Sequence, residues 1–149
     1  MKSEQGTLPA SRRKSFAVVA RAAIEKHVPE SREAAAHWVL APNAVWVRWP
    51  REDGRFAYLG LHRHLDWVTG EAGVSREPQD LRDLVPIPGV SDARGPGYRV
   101  RIGYLLDGQD RWWRAAADEP DLIERLERMA LQLRVKGEAY FSRQMEDRP

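Results

Sequence analysis

Two alternating segments constrain this chain more than any other feature: "AVWVRW" at residues 44–49 and "RFAYLGLHRHL" at 55–65, separated by Pro50 and the turn-forming "EDG" at 52–54. β-branched and aromatic side chains suit a pleated, half-buried surface, and Pro, Asp and Gly between two such runs mark a hairpin. Period two places Phe56, Tyr58, Gly60, His62 and His64 on one face of the return strand, with Ala57, Leu59, Leu61, Arg63 and Leu65 on the other. The leucine face is expected to meet the core. His62 and His64 then fall on the more polar side, either open to water or beneath a loop.

The flanking segments carry helical periodicity. From Ser11 to His27, Phe16, Val19, Ala20, Ala23 and Ile24 recur on one face, with Ser11 as the expected N-cap and Val28-Pro29 as the stop. "ESREAAAHW" at 30–38 fits a short second helix, while Trp38-Val39-Leu40 fits the opening of a strand equally well. A long C-terminal helix is predicted from an Asp118 N-cap, with Pro120 in its first turn and Leu122, Ile123, Leu126, Met129, Ala130 and Leu133 as its buried stripe; Gly137 is expected to bend or end it.

Between Asp66 and Gly97 lie four of the ten prolines and five of the eleven glycines, which predicts a long loop with one helical turn at 78–84. A third strand is expected over 98–106, alternating Tyr98, Val100, Ile102, Tyr104 and Leu106 against Arg99, Arg101 and Gly103. After Asp107-Gly108, "RWWRAA" at 111–116 would return antiparallel to it. The resulting expectation is a disordered leader at 1–10 and a single α+β domain over 11–145. Its antiparallel sheet of about four strands would pack against an N-terminal and a long C-terminal helix.

Composition narrows the function classes. No stretch approaches the roughly 20 apolar residues a bilayer requires, and "MKSEQGTLPA" lacks a secretory core, so a cytoplasmic location without membrane attachment is expected. The absence of cysteine removes disulfides, thiolate metal sites and thiol nucleophiles. The 20 arginines and 4 lysines are interspersed with 22 acidic residues, leaving a net charge of +2, so the pI of 9.1 is a weak pointer to nucleic acid. None of the phosphate-loop, dinucleotide, nucleophile-elbow or zinc-helix motifs occurs, so no cofactor is expected and the chain reads more as a binder than an enzyme.

Three side-chain groups remain as candidate sites. His62, His64 and Asp66 have the alternate spacing that could hold a catalytic metal, which makes a small metal-dependent hydrolase the alternative function. Trp112 and Trp113, adjacent on a strand, must point to opposite faces, so one joins the core and the other is covered or left for a partner. Arg99 and Arg101 share a face and could grip phosphates or an acidic protein, or could pair with Asp110, Glu52 or Asp53. Nucleic acid through this arginine face is the second alternative; it is disfavoured because Tyr98 and Tyr104 alternate away from the arginines rather than interleaving with them.

The stretch from Tyr98 to Arg143 resembles the C-terminal part of a bacterial family of small α+β domains of unknown function, with an R-x-R-x-G-x-L strand, a short turn, Asp-x-Trp-Trp and a closing helix. The matching residues are Arg99, Arg101, Gly103, Leu105, Asp110, Trp112 and Trp113. Some related domains have been proposed as immunity partners of bacterial toxins. The resemblance implies an α+β fold and an inhibitory-binding role, and no known activity. Together with the missing catalytic motifs and the surplus of tryptophan, it makes a non-enzymatic protein-binding module the expected function, with Arg99, Arg101, Trp112 and Trp113 as the binding residues and an unidentified protein as partner.

Overall fold

A computed structural model describes residues 15–87, 97–115 and 119–146, with side chains through Ser142. The elements, in chain order, are helix α1 (Phe16–His27), strands β1 (His37–Ala41), β2 (Ala44–Pro50), β3 (Phe56–His64), β4 (Trp67–Ser75), β5 (Val85–Ile87) and β6 (Gly97–Arg101), helix α2 (Ile102–Asp107), strand β7 (Trp113–Arg114) and helix α3 (Glu119–Glu146). Single 3-10 turns cover Pro29–Arg32 and Leu81–Asp83. The α+β class and the long C-terminal helix stand; among the described residues the sheet has seven strands rather than about four. Its order is β1-β2-β3-β4-β6-β5, with β7 paired to β4, and every pairing is antiparallel except β5 with β6.

The β2–β3 hairpin forms as its alternation requires, with Val45 opposite Leu61 and Val47 opposite Leu59. These side chains join Val68, Ala72, Val74 and Val100 beneath the apolar stripes of α1 and α3, building the main core. Phe16, Val19, Ala20, Ala23 and Ile24 supply α1's part, and Leu126, Met129, Ala130 and Leu133 supply α3's. Helix α1 begins at a Ser15 N-cap, whose Oγ accepts the Val18 N–H at 3.3 Å; the expected caps at Ser11 and Asp118 lie outside the described residues. Pairs between Lys26 and Glu127 (2.9 Å) and between Arg134 and Glu30 (2.7 Å) tie α3 to α1 and to the turn that follows it. No helix among the described residues is long and apolar enough to cross a membrane.

Three expectations are corrected. "WVTGEAGVS", taken for loop, is the strand β4 in the middle of the sheet, buried on both faces from Val68 to Ser75. Its helix-facing positions hold Gly70 and Ala72 because α3 lies directly on them: a Cβ at Gly70 would come 2.6 Å from Leu133 Cδ1. Gly137 neither bends nor ends α3, which runs on to Glu146; its missing Cβ admits Ala72, whose own Cβ would lie 2.8 Å away. The third correction concerns 98–116. The strand stops at Arg101, Ile102–Asp107 is helical, and β7 pairs with β4 at Trp67 and Val68 rather than with β6. Strands β6 and β7 thus share one side of β4, with α2 as an excursion between them.

The face of the sheet away from the helices is closed over part of its width by the segment after β4. Leu81 and Leu84 pack on Trp46 and Tyr58 in a second, smaller core, with Val39 and Phe56 beside it. Tyr58 Oη anchors this cover, lying 2.7 Å from Ser75 Oγ and accepting the Gln79 N–H at 2.9 Å.

Candidate functional site

The second face has a locked half and an open half. At the centre of the locked half is Glu71 on β4, whose side chain is only 6% exposed. Diagonal neighbours on both flanking strands reach it: His62 Nε2 from β3 at 2.9 Å, and Arg99 Nη1 from β6 at 3.2 and 3.1 Å from its two carboxylate oxygens. Arg99 Nε also donates to the Leu84 carbonyl at 3.0 Å, so the same guanidinium fastens the covering segment. Burial pushes the Glu71 carboxyl up, but the hydrogen bond and charge of His62 and those of Arg99 outweigh it and hold the group below its ordinary range. An ionised carboxylate can only accept, so the shared proton sits on His62 Nε2.

This arrangement separates the metal triad read from the sequence. His62 is turned to Glu71, His64 is exposed at the end of β3, and Asp66 lies in the turn, where its carbonyl accepts the Ala115 N–H at 2.8 Å. The alternation that aligned the three ends because the strand ends at His64. No group of three or more metal-ligating side chains occurs among the described residues. The arginine row is likewise divided. Arg99 is engaged by Glu71, and Arg101 pairs with Asp110 at 2.9 Å, one of the partners expected for it, while its guanidinium lies 5.4 Å from the Trp112 ring centroid. Trp112 and Trp113 do take opposite faces: Trp113 packs against the main core, and Trp112 stays half-buried on the second face.

The open half is at the end of the β3–β4 hairpin. His64 pairs with Trp67, so the turn between them has only two residues, and Leu65 occupies its first position at φ 54°, in the left-handed region. Leu65 is 78% exposed and Trp67 44% exposed. Beside them is a shallow, almost wholly apolar notch of about 310 Å³ lined by His64, Trp67 and Trp112. Exposed Arg114 stands opposite Trp67 across the β4–β7 pair and exposed Asp66 precedes Trp67 in the turn, so the rim carries charge of both signs. The surface can take an apolar projection, with polar groups meeting the charges around it.

Sequence reasoning did not single out Glu71 or Trp67 as site residues, and it placed Leu65 on the core-facing side of the return strand, which instead ends at His64 and leaves Leu65 exposed in the turn. For Glu71 the signal was a lone carboxylate inside "VTGEAGV", whose neighbours alternate in a strand's rhythm once small residues are counted as buried. For Leu65 it was the two-residue spacing between His64 and Trp67, which leaves a leucine where a turn favours glycine or asparagine.

Leu65 is costly where it stands. A non-glycine residue in this backbone region is strained by about 1–3 kcal/mol, while glycine adds back about 0.5–1 kcal/mol of unfolded-chain entropy. Leu65→Gly is therefore expected to raise the unfolding free energy by about 1 kcal/mol, readable as an increased denaturation midpoint.

Comparison with family models, with curated proteins and with solved structures found no match. The class that fold and site define is an α+β domain in which, among the described residues, α1 and α3 lie on one face of a seven-stranded sheet, α2 joins the same core, and an aromatic patch lies on the other face.

Proposed function

We propose that this chain is a cytoplasmic protein-binding module that holds its partner with the β3–β4 hairpin end and the adjoining Trp112. The observation that carries the reading is Leu65, which is strained by its backbone and projects an apolar side chain into water beside exposed Trp67. The cost of exposure is recovered when a partner covers the leucine, while the backbone strain stays and is borne by the fold to keep the side chain projecting; tryptophan in such a patch is among the residue types that most often dominate binding energy. The partner is a protein with an apolar projection that fills the notch and polar groups that meet Arg114 and Asp66 at its rim. Inhibition of a bacterial toxin is the form of this role that the sequence resemblance supports.

Of the binding residues read from the sequence, Trp112 and Arg101 belong to this surface, whereas Arg99 and Trp113 act on the fold. The test is capture from nuclease-treated lysate of the native host by the immobilised chain and by Trp67→Ala. One protein is expected to be held in stoichiometric amount, with affinity falling about tenfold or more in the variant. Equal retention by both, or no protein held, overturns the reading.

A further inference from the structure

The geometry points to a second copy of this chain as the occupant of the free edge of β1, paired antiparallel across a two-fold axis at Val39. The two edges of the sheet differ. At one, β5 has three residues and carries Pro86, which blunts it against further pairing. At the other, β1 reads His-Trp-Val-Leu-Ala, with no proline, glycine, lysine or acidic residue. Exposed edges of this kind recruit another strand.

The hydrogen-bond phase shows which groups are on offer. Arg63 N–H donates to the Asn43 carbonyl, so alternate residues of β2 from Asn43 onward, Val45 and Val47 among them, turn their backbone groups to β3. Ala44, Trp46 and Arg48 therefore bond to β1, where they face Ala41, Val39 and His37. Trp38 and Leu40 are left with their N–H and C=O groups on the outer edge, and no backbone bond from the described residues reaches them.

A two-fold axis at Val39 sets Trp38 opposite the partner's Leu40 and Leu40 opposite the partner's Trp38. All four outward N–H groups then meet carbonyls, two for each Trp–Leu pair. The same register solves a side-chain problem. Leu40 is 47% exposed and Trp38 is half-buried, covered on one side by the Arg21 guanidinium 4.7 Å from its ring centroid. Aromatic and aliphatic side chains directly across two strands form one of the favourable cross-strand pairs, and the two-fold makes two of them. Exposed Val18 lies on α1, which packs beside β1, so it adds apolar surface next to the seam. What favours a second copy over an unrelated strand is that this register also lays each exposed Leu40 against the partner's Trp38.

This surface is separate from the hairpin end, so its failure would leave the proposed function intact. Sedimentation equilibrium of the full chain is expected to give a concentration-dependent approach to twice 17.1 kDa. Leu40→Pro removes an outward N–H while leaving the β1–β2 ladder intact, and is expected to yield a folded monomer. Leu40→Lys, which keeps the backbone donor, is expected to weaken dimerisation about tenfold. A chain that stays monomeric throughout overturns the inference, including one in which slow Trp38 and Leu40 amide exchange shows the edge covered from within the chain. So does a dimer that neither substitution moves.

Discussion

Glu71→Ala is expected to lower the unfolding free energy by about 2–4 kcal/mol. Glu71 is nearly inaccessible, and its removal strands the Arg99 guanidinium and the His62 imidazole, both largely buried themselves. Breaking a buried pair costs more than the pair contributes, because the remaining charge keeps its desolvation penalty. The residual exposure of Arg99 and His62 moderates that loss and places it below the fully buried extreme. Urea titration reads the change directly. Since Arg99 also fastens the Leu84 carbonyl, amide exchange in 79–85 should accelerate with it.

The same group contributes to the acid limb of stability, together with Asp53 and Asp80, whose carboxyls are also held below their ordinary value. The Glu71 pKa is depressed in the folded state from an ordinary value of 4.5, so its contribution is fully present above that pH and is lost as pH falls through the folded value. The unfolding free energy of the wild type should therefore decline below about pH 4.5, and Glu71→Gln should flatten that decline while lowering the plateau at neutral pH. Equal slopes in the two proteins would remove Glu71 from this role.

Gly103→Ala is expected to cost about 3 kcal/mol, a fall of roughly 10 °C in melting temperature for a chain of this size. A Cβ there would lie 2.2 Å from the Gln109 carbonyl oxygen and 2.6 Å from the Arg111 amide nitrogen. Both are backbone atoms, so no rotamer change relieves the contact and the 109–111 return must move. That return carries the Arg111 carbonyl, which accepts the Thr69 hydroxyl at 2.8 Å, and leads into Trp112. Loss of partner affinity should accompany the loss of stability. Gly108 is the control: it has φ 81° and open space around its Cα, so Gly108→Ala meets only backbone strain, about 1–2 kcal/mol.

The β2–β3 hairpin was legible because its apolar alternation is strong and its turn residues unambiguous, and the stripes of α1 and α3 were legible for the same reason. Strand β4 was hidden because the close approach of α3 replaces its helix-facing apolar residues with Gly70 and Ala72, which read as loop. In 98–106 two periodicities overlap. Val100, Ile102, Tyr104 and Leu106 alternate as a strand would, yet Ile102, Leu105 and Leu106 also keep helical spacing, and the left-handed Gly108 closes the helix. The division of labour between Arg99 and Arg101 depends on Glu71, which is 28 positions from Arg99 in sequence and meets it only through sheet register. Charge reversal at Arg99 is consequently a stability probe, and reversal at Arg101 is the one that tests the proposed binding surface.

The most direct test of the hairpin end as the working surface is Leu65→Gly, measured for melting temperature and for affinity toward the captured partner. Strain relief and lost contact predict opposite signs: a higher melting temperature and an affinity lowered about tenfold. A higher melting temperature with unchanged affinity would make Leu65 a strained turn residue and nothing more, and would contradict the account.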